Sequence, residues 1–261
     1  SALATVLAQL ISAMWVLGYF FTGRSLIKIR VSNLRPTWPV VSSIMAIGFA
    51  PFALQMASSI QQLILNRTLW LHGGDLALSA IGIIGSIATL LFMPVLGLAQ
   101  GAQPIIGYNY GARQYKRVKE TWKIAVLTGT AMALVGYVVI RLWPEQLIGL
   151  FSEGDAALTA LTVHAMLIFL AMIPLVGFQI ISSTYFQAVG KARQAAILSL
   201  SRQVLFFIPL LVVLPRIWGI EGVWRTAPIA DVLSIAFTAT LIYFEMKNLS
   251  QAGGSVETGD H

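Results

Sequence analysis

Apolar residues in this chain gather into long runs, and the charged residues collect between the runs instead of alternating within them. About seven runs can be placed: Leu3–Phe21, Val40–Leu65, Leu76–Tyr108, Trp122–Leu142, Ala157–Gln187, Ala195–Leu214 and Val223–Phe244. A hydrocarbon layer of ~30 Å needs about 20 apolar residues in a helix rising ~1.5 Å per residue, so the pattern predicts an all-α, polytopic transmembrane bundle. The second, third and fifth runs exceed that minimum, which predicts tilt, kinks or extension beyond the bilayer. Between the fourth and fifth runs, Leu147, Ile148, Leu150 and Phe151 beside Glu145 and Gln146 predict a short helix lying at the interface. Trp70, Trp143, Trp218 and Trp224 stand near run ends, where interfacial anchors belong.

Composition agrees with a lipid environment. Of 261 residues, 57% are hydrophobic and 10% charged, and the mean hydropathy is +0.80, leaving too little polar surface to coat a soluble particle. The net charge of +7 does not point to nucleic acid, because the cations sit in alternate loops. Arg24, Lys28, Arg30 and Arg35 follow the first run. Arg113, Lys116, Arg117 and Lys119 follow the third, Lys191 and Arg193 the fifth, and Lys247 the seventh. The opposite loops hold fewer cations together with Asp75, Glu145, Glu153, Asp155 and Glu221. The positive-inside rule then puts the N-terminus outside and the C-terminus in the cytoplasm. There is no Cys, hence no disulfide framework or thiolate chemistry. The first residues are not Met and are already apolar and helix-like, which reads as a chain entered partway and not as a signal peptide.

The passage from Pro94 to Lys119 carries the most specific pattern. Pro94, Gly97, Gly101, Pro104 and Gly107 interrupt an apolar run that also holds Gln100, Gln103 and Asn109, and the basic tail follows. Such breakers are tolerated in a bilayer where neighbouring helices, polar side chains or water satisfy the freed backbone groups, so a broken helix beside a wet cavity is expected. The spacing Gly97-x-x-x-Gly101-x-x-Pro104, then Gly107-Tyr-Asn109-Tyr-Gly111-Ala-Arg-x-x-x-Arg117, resembles the multidrug and toxic compound extrusion (MATE) transporters, at the close of their eighth helix. Phe151-Ser-Glu-Gly-Asp155 and Phe186-Gln-Ala-Val-Gly190-Lys-Ala-Arg193 resemble further loops of that family. The resemblance implies that the chain holds helices six to twelve of a twelve-helix fold. Residues 1–36 would be a preceding helix and inter-lobe cytoplasmic loop, 37–247 a six-helix C-terminal lobe, and 248–261 a disordered cytoplasmic tail, with an N-terminal lobe missing.

Candidate chemistry is sparse. Asp231 is the one carboxylate deep inside a run, where an unpaired charge costs several kcal/mol, and Arg202 falls at a similar depth on the preceding run. They are expected to pair, either as a coupling site for protons or cations or as a helix-locking ion pair. Gln55, Gln179, Tyr185 and Met56 are candidates to line a substrate cavity. Neutral amides serve as hydrogen-bond partners there, or equally as interhelical glue, and adaptable Met and aromatic faces suit promiscuous pockets. Pro51 to Ser59 faintly echoes Pro174 to Ser183, as an internal duplication would. Many MATE relatives carry a glutamate where Gln55 stands and an aspartate where Val176 stands. The resemblance therefore places any coupling carboxylate in the missing half.

The three His residues are scattered, and no HExxH, G-x-S-x-G or phosphate-cradling loop occurs, so neither an enzyme nor a metal site is expected. No cofactor is expected beyond a coupling ion. The resemblance implies exchange of H+ or Na+ for amphipathic or cationic compounds across a bacterial inner membrane, with the bilayer, the small-molecule substrate and the missing lobe as partners. A non-transporting fragment or half-subunit, and a lipid or glycan flippase of the same superfamily, remain as alternatives.

Overall fold

The computed structural model describes residues 2–21, 37–152 and 155–257, and every described element is helical. The basic loop after the first run and the Glu153–Gly154 pair lie outside the described residues. Two units separate at Ala50 and Pro51. The first contains α1 (Ala2–Phe21), an apolar helix with an exposed surface over Thr5–Tyr19, and the opening residues of α2 (Trp38–Gly111).

The second unit is a bundle. Four helical stretches are long and apolar enough to span a bilayer, five if the bent pair α5 (Ala156–Phe169) and α6 (Ile173–Ala188) makes one span. The longest, Phe52–Gly111, folds back on itself at Gly74. Gly74 adopts φ 64 and ψ −158, a conformation that costs little only without a Cβ. Leu65 and Leu69 on its first arm then pack in one core with Ile81 and Ile84 on the second. The loop expected from Asn66 to Asp75 is therefore mostly helix closing on one turn residue, and the described bundle has six passes. The others are α3 (Tyr115–Leu142), the α5–α6 pair, α7 (Ala192–Leu200) continuing through a π-helical turn (Ser201–Phe207) into α8 (Ile208–Trp218), and α9 (Ile220–Glu257).

Local chemistry explains most of the joints. Pro144 opens the short α4 (Pro144–Gly149), the expected interfacial helix. The Asp155 carboxylate caps α5 by accepting from the N–H groups of Ala157 (2.9 Å) and Leu158 (3.1 Å). Pro174, near the start of α6, cannot donate to the preceding turn, and α5 and α6 meet at 52°. Pro209 removes a donor in the same way, and its ring crowds the carbonyl four residues back. The helix ahead of it widens into the π-turn, where the Ile208 N–H reaches the Gln203 carbonyl.

Several sequence expectations change here. The second arm of α2 stays helical through Pro94, Gly97, Gly101 and Pro104, and the one non-helical residue within α2 is Gly74. These four residues, three or four positions apart, are all exposed and share one face, so the breakers smooth a surface and do not break the helix. Trp224 is not an interfacial anchor: it is fully buried in the core with Leu69, Ile140 and Met166. α9 runs on to Glu257, with Leu249 buried and the Lys119 ammonium bonded to the Ser250 hydroxyl. The segment expected to be disordered from residue 248 is thus helical as far as it is described, and Leu249 near its start packs in one core with Val118 of α3.

Packing is close where α3 crosses α6. A Cβ on Gly177 would stand 2.9 Å from the Gly129 carbonyl oxygen and 3.0 Å from its carbon, so the two backbones touch. Gly85, by contrast, has open space at its Cβ position. Gly177→Leu is expected to destabilise the protein by about 3 kcal/mol or more, since backbone cannot yield as a side chain can. Gly85→Ala should be neutral or stabilising by up to ~1 kcal/mol. Thermal unfolding of both variants in detergent checks this.

Candidate functional site

The bundle interior is layered. One apolar core gathers around Leu69, Ile84, Ile140, Met166, Leu211 and Trp224, and a second around Ile106, Val118, Tyr185, Phe186, Leu198 and Ile242. Between them, on α6, the α7–π-turn segment and α9, lies a polar layer holding Gln179, Ser182, Ser183, Ser199, Arg202, Asp231 and Ser234. In hydrocarbon each of these groups must find a protein partner or water. Gln179 donates its amide to the Ser234 hydroxyl at 2.5 Å. Ser183 and Ser199 bond at 3.2 Å. Gln203 donates to the Ser58 hydroxyl at 3.0 Å, tying the π-turn to the first arm of α2. Several hydroxyls instead return to the carbonyl one turn back, as Thr162 does at 2.6 Å and Thr238 at 2.8 Å. The buried oxygens of Gln179 (Oε1), Gln203 (Oε1) and Ser182 (Oγ) take no partner among the described residues.

Asp231 and Arg202 meet as their depths predicted. One carboxylate oxygen of Asp231, Oδ1, accepts from both Nε and Nη2 of Arg202 at 2.8 Å. Arg202 is the second residue of the π-turn. The partners differ in exposure: the Asp231 side chain is 7% accessible and that of Arg202 35%.

Two cavities adjoin the pair. The larger, of about 350 Å³, is lined by Gln179, Ser183, Thr184, Gln187, Ser199, Arg202 and Gln203 against Phe92, Leu96, Val176, Ile180 and Leu198. The smaller, about 110 Å³, is lined by Gln61, Arg202 and Asp231 among apolar residues. Phe92, Val176 and Arg202 border both. A third, of about 540 Å³, opens between the two arms of α2, where Gln62 and Asn66 face Gly82, Gly85, Ser86 and Thr89.

The structure separates the other sequence candidates. Gln179 lines the larger cavity. Gln55 and Met56 are exposed and border none of these three cavities. Tyr185 is a core residue, not a cavity residue: it is fully buried and donates its hydroxyl to Glu245 at 3.1 Å. Pro94, Gly101, Pro104, Gly111 and Arg117 are exposed. Asn109 is buried and donates to the Ile105 carbonyl at 2.8 Å, holding the end of α2.

Sequence reasoning missed Glu245. It lies one residue beyond the last apolar run, yet it is buried, and both its oxygens accept from the Lys191 ammonium, at 2.7 and 2.6 Å. The signal available was Lys191 just after Gly190, a cation at a helix reversal with no acid near it in sequence. Together Tyr185, Lys191 and Glu245 fasten the α6–α7 turn to α9. At the other end His164 meets Glu221 at 2.6 Å, and Arg225 lies over the Trp218 ring. Among the described residues no group of three His, Asp or Glu side chains is placed to hold a metal ion.

Many large apolar side chains face outward, Leu63, Ile124, Val135, Val213, Ile217 and Phe244 among them, around a polar layer with cavities. That inversion defines an integral membrane helix bundle with a solute-sized interior site. The MatE family profile matches residues 51–213, and the chain belongs to that family. It is similar to the multidrug export protein MepA of Staphylococcus saprophyticus, 27% identical over 249 residues, covering 95% of this chain and 54% of that protein. Among solved structures it resembles the MATE multidrug transporter DinF-BH, at 38% identity and a TM-score of 0.77, covering 92% of this chain and 54% of the other. An inward-facing multidrug resistance MATE transporter of the MOP superfamily gives a TM-score of 0.82 at 20% identity, covering 96% of this chain and 58% of the other, a likeness of fold. The chain thus spans about half the length of the relatives it matches, corresponding to roughly their C-terminal half. The resemblance read from the Gly, Pro and Asn pattern holds.

Arg202→Ala leaves a buried carboxylate without its counter-charge. A fully buried pair broken this way costs ~3–5 kcal/mol, and because Arg202 keeps a third of its exposure the expected loss is nearer ~2–3 kcal/mol. Arg202→Gln with Asp231→Asn, which removes both charges and keeps the shapes, is expected to recover most of it. Chemical unfolding in detergent of the single and double variants gives the comparison.

Proposed function

We propose that this chain is the C-terminal lobe of a secondary active exporter of amphipathic compounds. The observation that carries the reading is the polar layer. A charged pair and the amides of Gln179 and Gln203 held inside an apolar bundle, beside a cavity of about 350 Å³, are costly in lipid unless a solute or ion uses them. The likeness to MepA, a multidrug export protein, and to DinF-BH, a multidrug transporter, supports the same reading. The transport unit joins this lobe to a second of similar size, and a compound crosses as the two alternate between faces of the membrane. An H+ or Na+ gradient drives the exchange. The family's reaction is transport and not catalysis.

Inverted membrane vesicles carrying this lobe together with its second lobe should accumulate an amphipathic dye, with anionic and cationic dyes tried separately, when a proton or sodium gradient is imposed. The ionophore that collapses the driving gradient should stop the uptake, which also identifies the ion. Dye movement that is the same with and without either gradient would falsify the exporter reading.

The protein lies in a bacterial plasma membrane with Arg113, Lys116, Arg117 and Lys119 in the cytoplasm. The chain has no Cys, so one can be introduced without interference. Lys116→Cys in intact cells is expected to resist a membrane-impermeant maleimide and to react after permeabilisation. Leu150→Cys, at the other end of α3 and α4, should react in intact cells. The reverse pattern would invert the orientation.

A further inference from the structure

Asp231 and Arg202 cancel as charges but not as neighbours of the cavities. Asp231 is 7% accessible and borders only the smaller cavity, of about 110 Å³. Arg202 is 35% accessible and borders both. Its Nε and Nη2 go to Asp231, and no other partner of the guanidinium occurs among the described residues. An arginine offers five N–H donors in a planar fork, so donors remain after the ion pair forms. The pair is a dipole with its negative end enclosed and its positive end at the wall of the 350 Å³ cavity.

Nothing else on that wall opposes it. The remaining polar lining is neutral: the amides of Gln179, Gln187 and Gln203 and the hydroxyls of Ser183, Thr184 and Ser199. No carboxylate among the described residues lines the larger cavity, and Glu245 belongs to the separate cluster with Lys191 and Tyr185. The rest of the lining, Phe92, Leu96, Val176, Ile180 and Leu198, is apolar. A naked cation entering this space would lose hydration, meet a guanidinium, and find only neutral groups in compensation. An anion meets the fork that matches carboxylate, sulfonate or phosphate oxygens. At about 350 Å³ the cavity lies within the range of small-molecule sites, and its mixed lining suits a ligand with one polar end.

We infer that the larger cavity is a binding site for amphipathic organic anions, with Arg202 as the anchor of the anionic group and Phe92, Leu96 and Ile180 against the apolar body. Asp231 acts as a positioning residue that holds the guanidinium at the cavity wall. The assignment rests on the exporter reading only in making the bound anion a cargo. It narrows the substrate class away from the cations implied by family resemblance.

The test uses three naphthalene probes of matched size carrying a sulfonate, a trimethylammonium or an uncharged methyl sulfone. Binding to the full chain in nanodiscs of zwitterionic lipid is measured by equilibrium dialysis against empty discs. The sulfonate is expected to bind the unaltered protein about tenfold or more tightly than the trimethylammonium probe, as a charge-assisted contact implies. Arg202→Gln with Asp231→Asn should weaken the sulfonate by about tenfold and shift the other two by less than about twofold. Arg202→Lys should fall between, keeping the charge and losing the fork. Trimethylammonium binding as tight as sulfonate, no sulfonate binding, or sulfonate binding indifferent to the double substitution would each overturn the assignment. The comparison of probes on the unaltered protein decides the matter even where a variant fails to fold. Anion-selective binding without gradient-driven movement of any probe would sink the exporter reading and leave the site standing. Gradient-driven movement of the trimethylammonium probe in preference to the sulfonate would do the opposite.

Discussion

Everything in this structure answers to the cost of a bare polar group in hydrocarbon. The backbone meets it by forming helices, in which each N–H and C=O is satisfied within its own segment, and every described element is a helix. Side chains meet it in three ways. Isolated Ser and Thr hydroxyls bond to the carbonyl one turn back, as Thr226 and Thr240 do. Amides and hydroxyls pair between helices, as Gln179 does with Ser234 and Gln203 with Ser58. Charges pair with opposite charges, Arg202 with Asp231 and Lys191 with Glu245. The helices pack closely enough for such bonds because small residues let backbones touch, as where Gly177 meets Gly129.

Pairing alone does not explain where the polar groups are. They are concentrated between two apolar cores, with cavities beside them and with the buried oxygens of Gln179, Ser182 and Gln203 still unpartnered among the described residues. A bundle selected only for stability would replace such a layer with well-packed apolar residues at little loss. Two irregular stretches border this layer: the bend between α5 and α6, on the side of the first core, and the π-turn of residues 201–207, which holds Arg202. Pro174 and Pro209 are the local causes, and each re-aims the side chains that follow or precede it. The π-turn sets Arg202 within the polar layer, and the asymmetric exposure of Arg202 and Asp231 gives that layer a sign.

Periodicity made the spans legible, because a hydrocarbon slab demands about twenty apolar residues whatever the fold. The Arg202–Asp231 pair was also legible, since charges inside adjacent spans at one depth have few other partners. Glu245 was not, because a carboxylate just past an apolar run looks like a solvated end. Only the packing of α9 beyond its apolar run, over Tyr185 and Lys191, buries it. Trp224 and Tyr185 mislead in the same way. Near a span end or within a span, an aromatic can face lipid, cavity or core, and neighbours that are distant in sequence choose among them. Pro94, Gly101 and Pro104 look like helix breakers by propensity, yet the helix continues because its hydrogen bonds in lipid have no water to exchange with.

By itself, then, the sequence determined what hydropathy and charge control locally: an all-helical membrane bundle, its approximate spans, its family pattern and the ion pair deep within two of its runs. Tertiary structure decided what depends on which faces meet. It set the fold-back at Gly74, the separation of the polar layer from two cores and the burial of Glu245. It also decided which member of the Arg202–Asp231 pair reaches the larger cavity. The physical reason is that exposure is a property of neighbours, and the neighbours of a helix in this bundle lie tens of residues away along the chain.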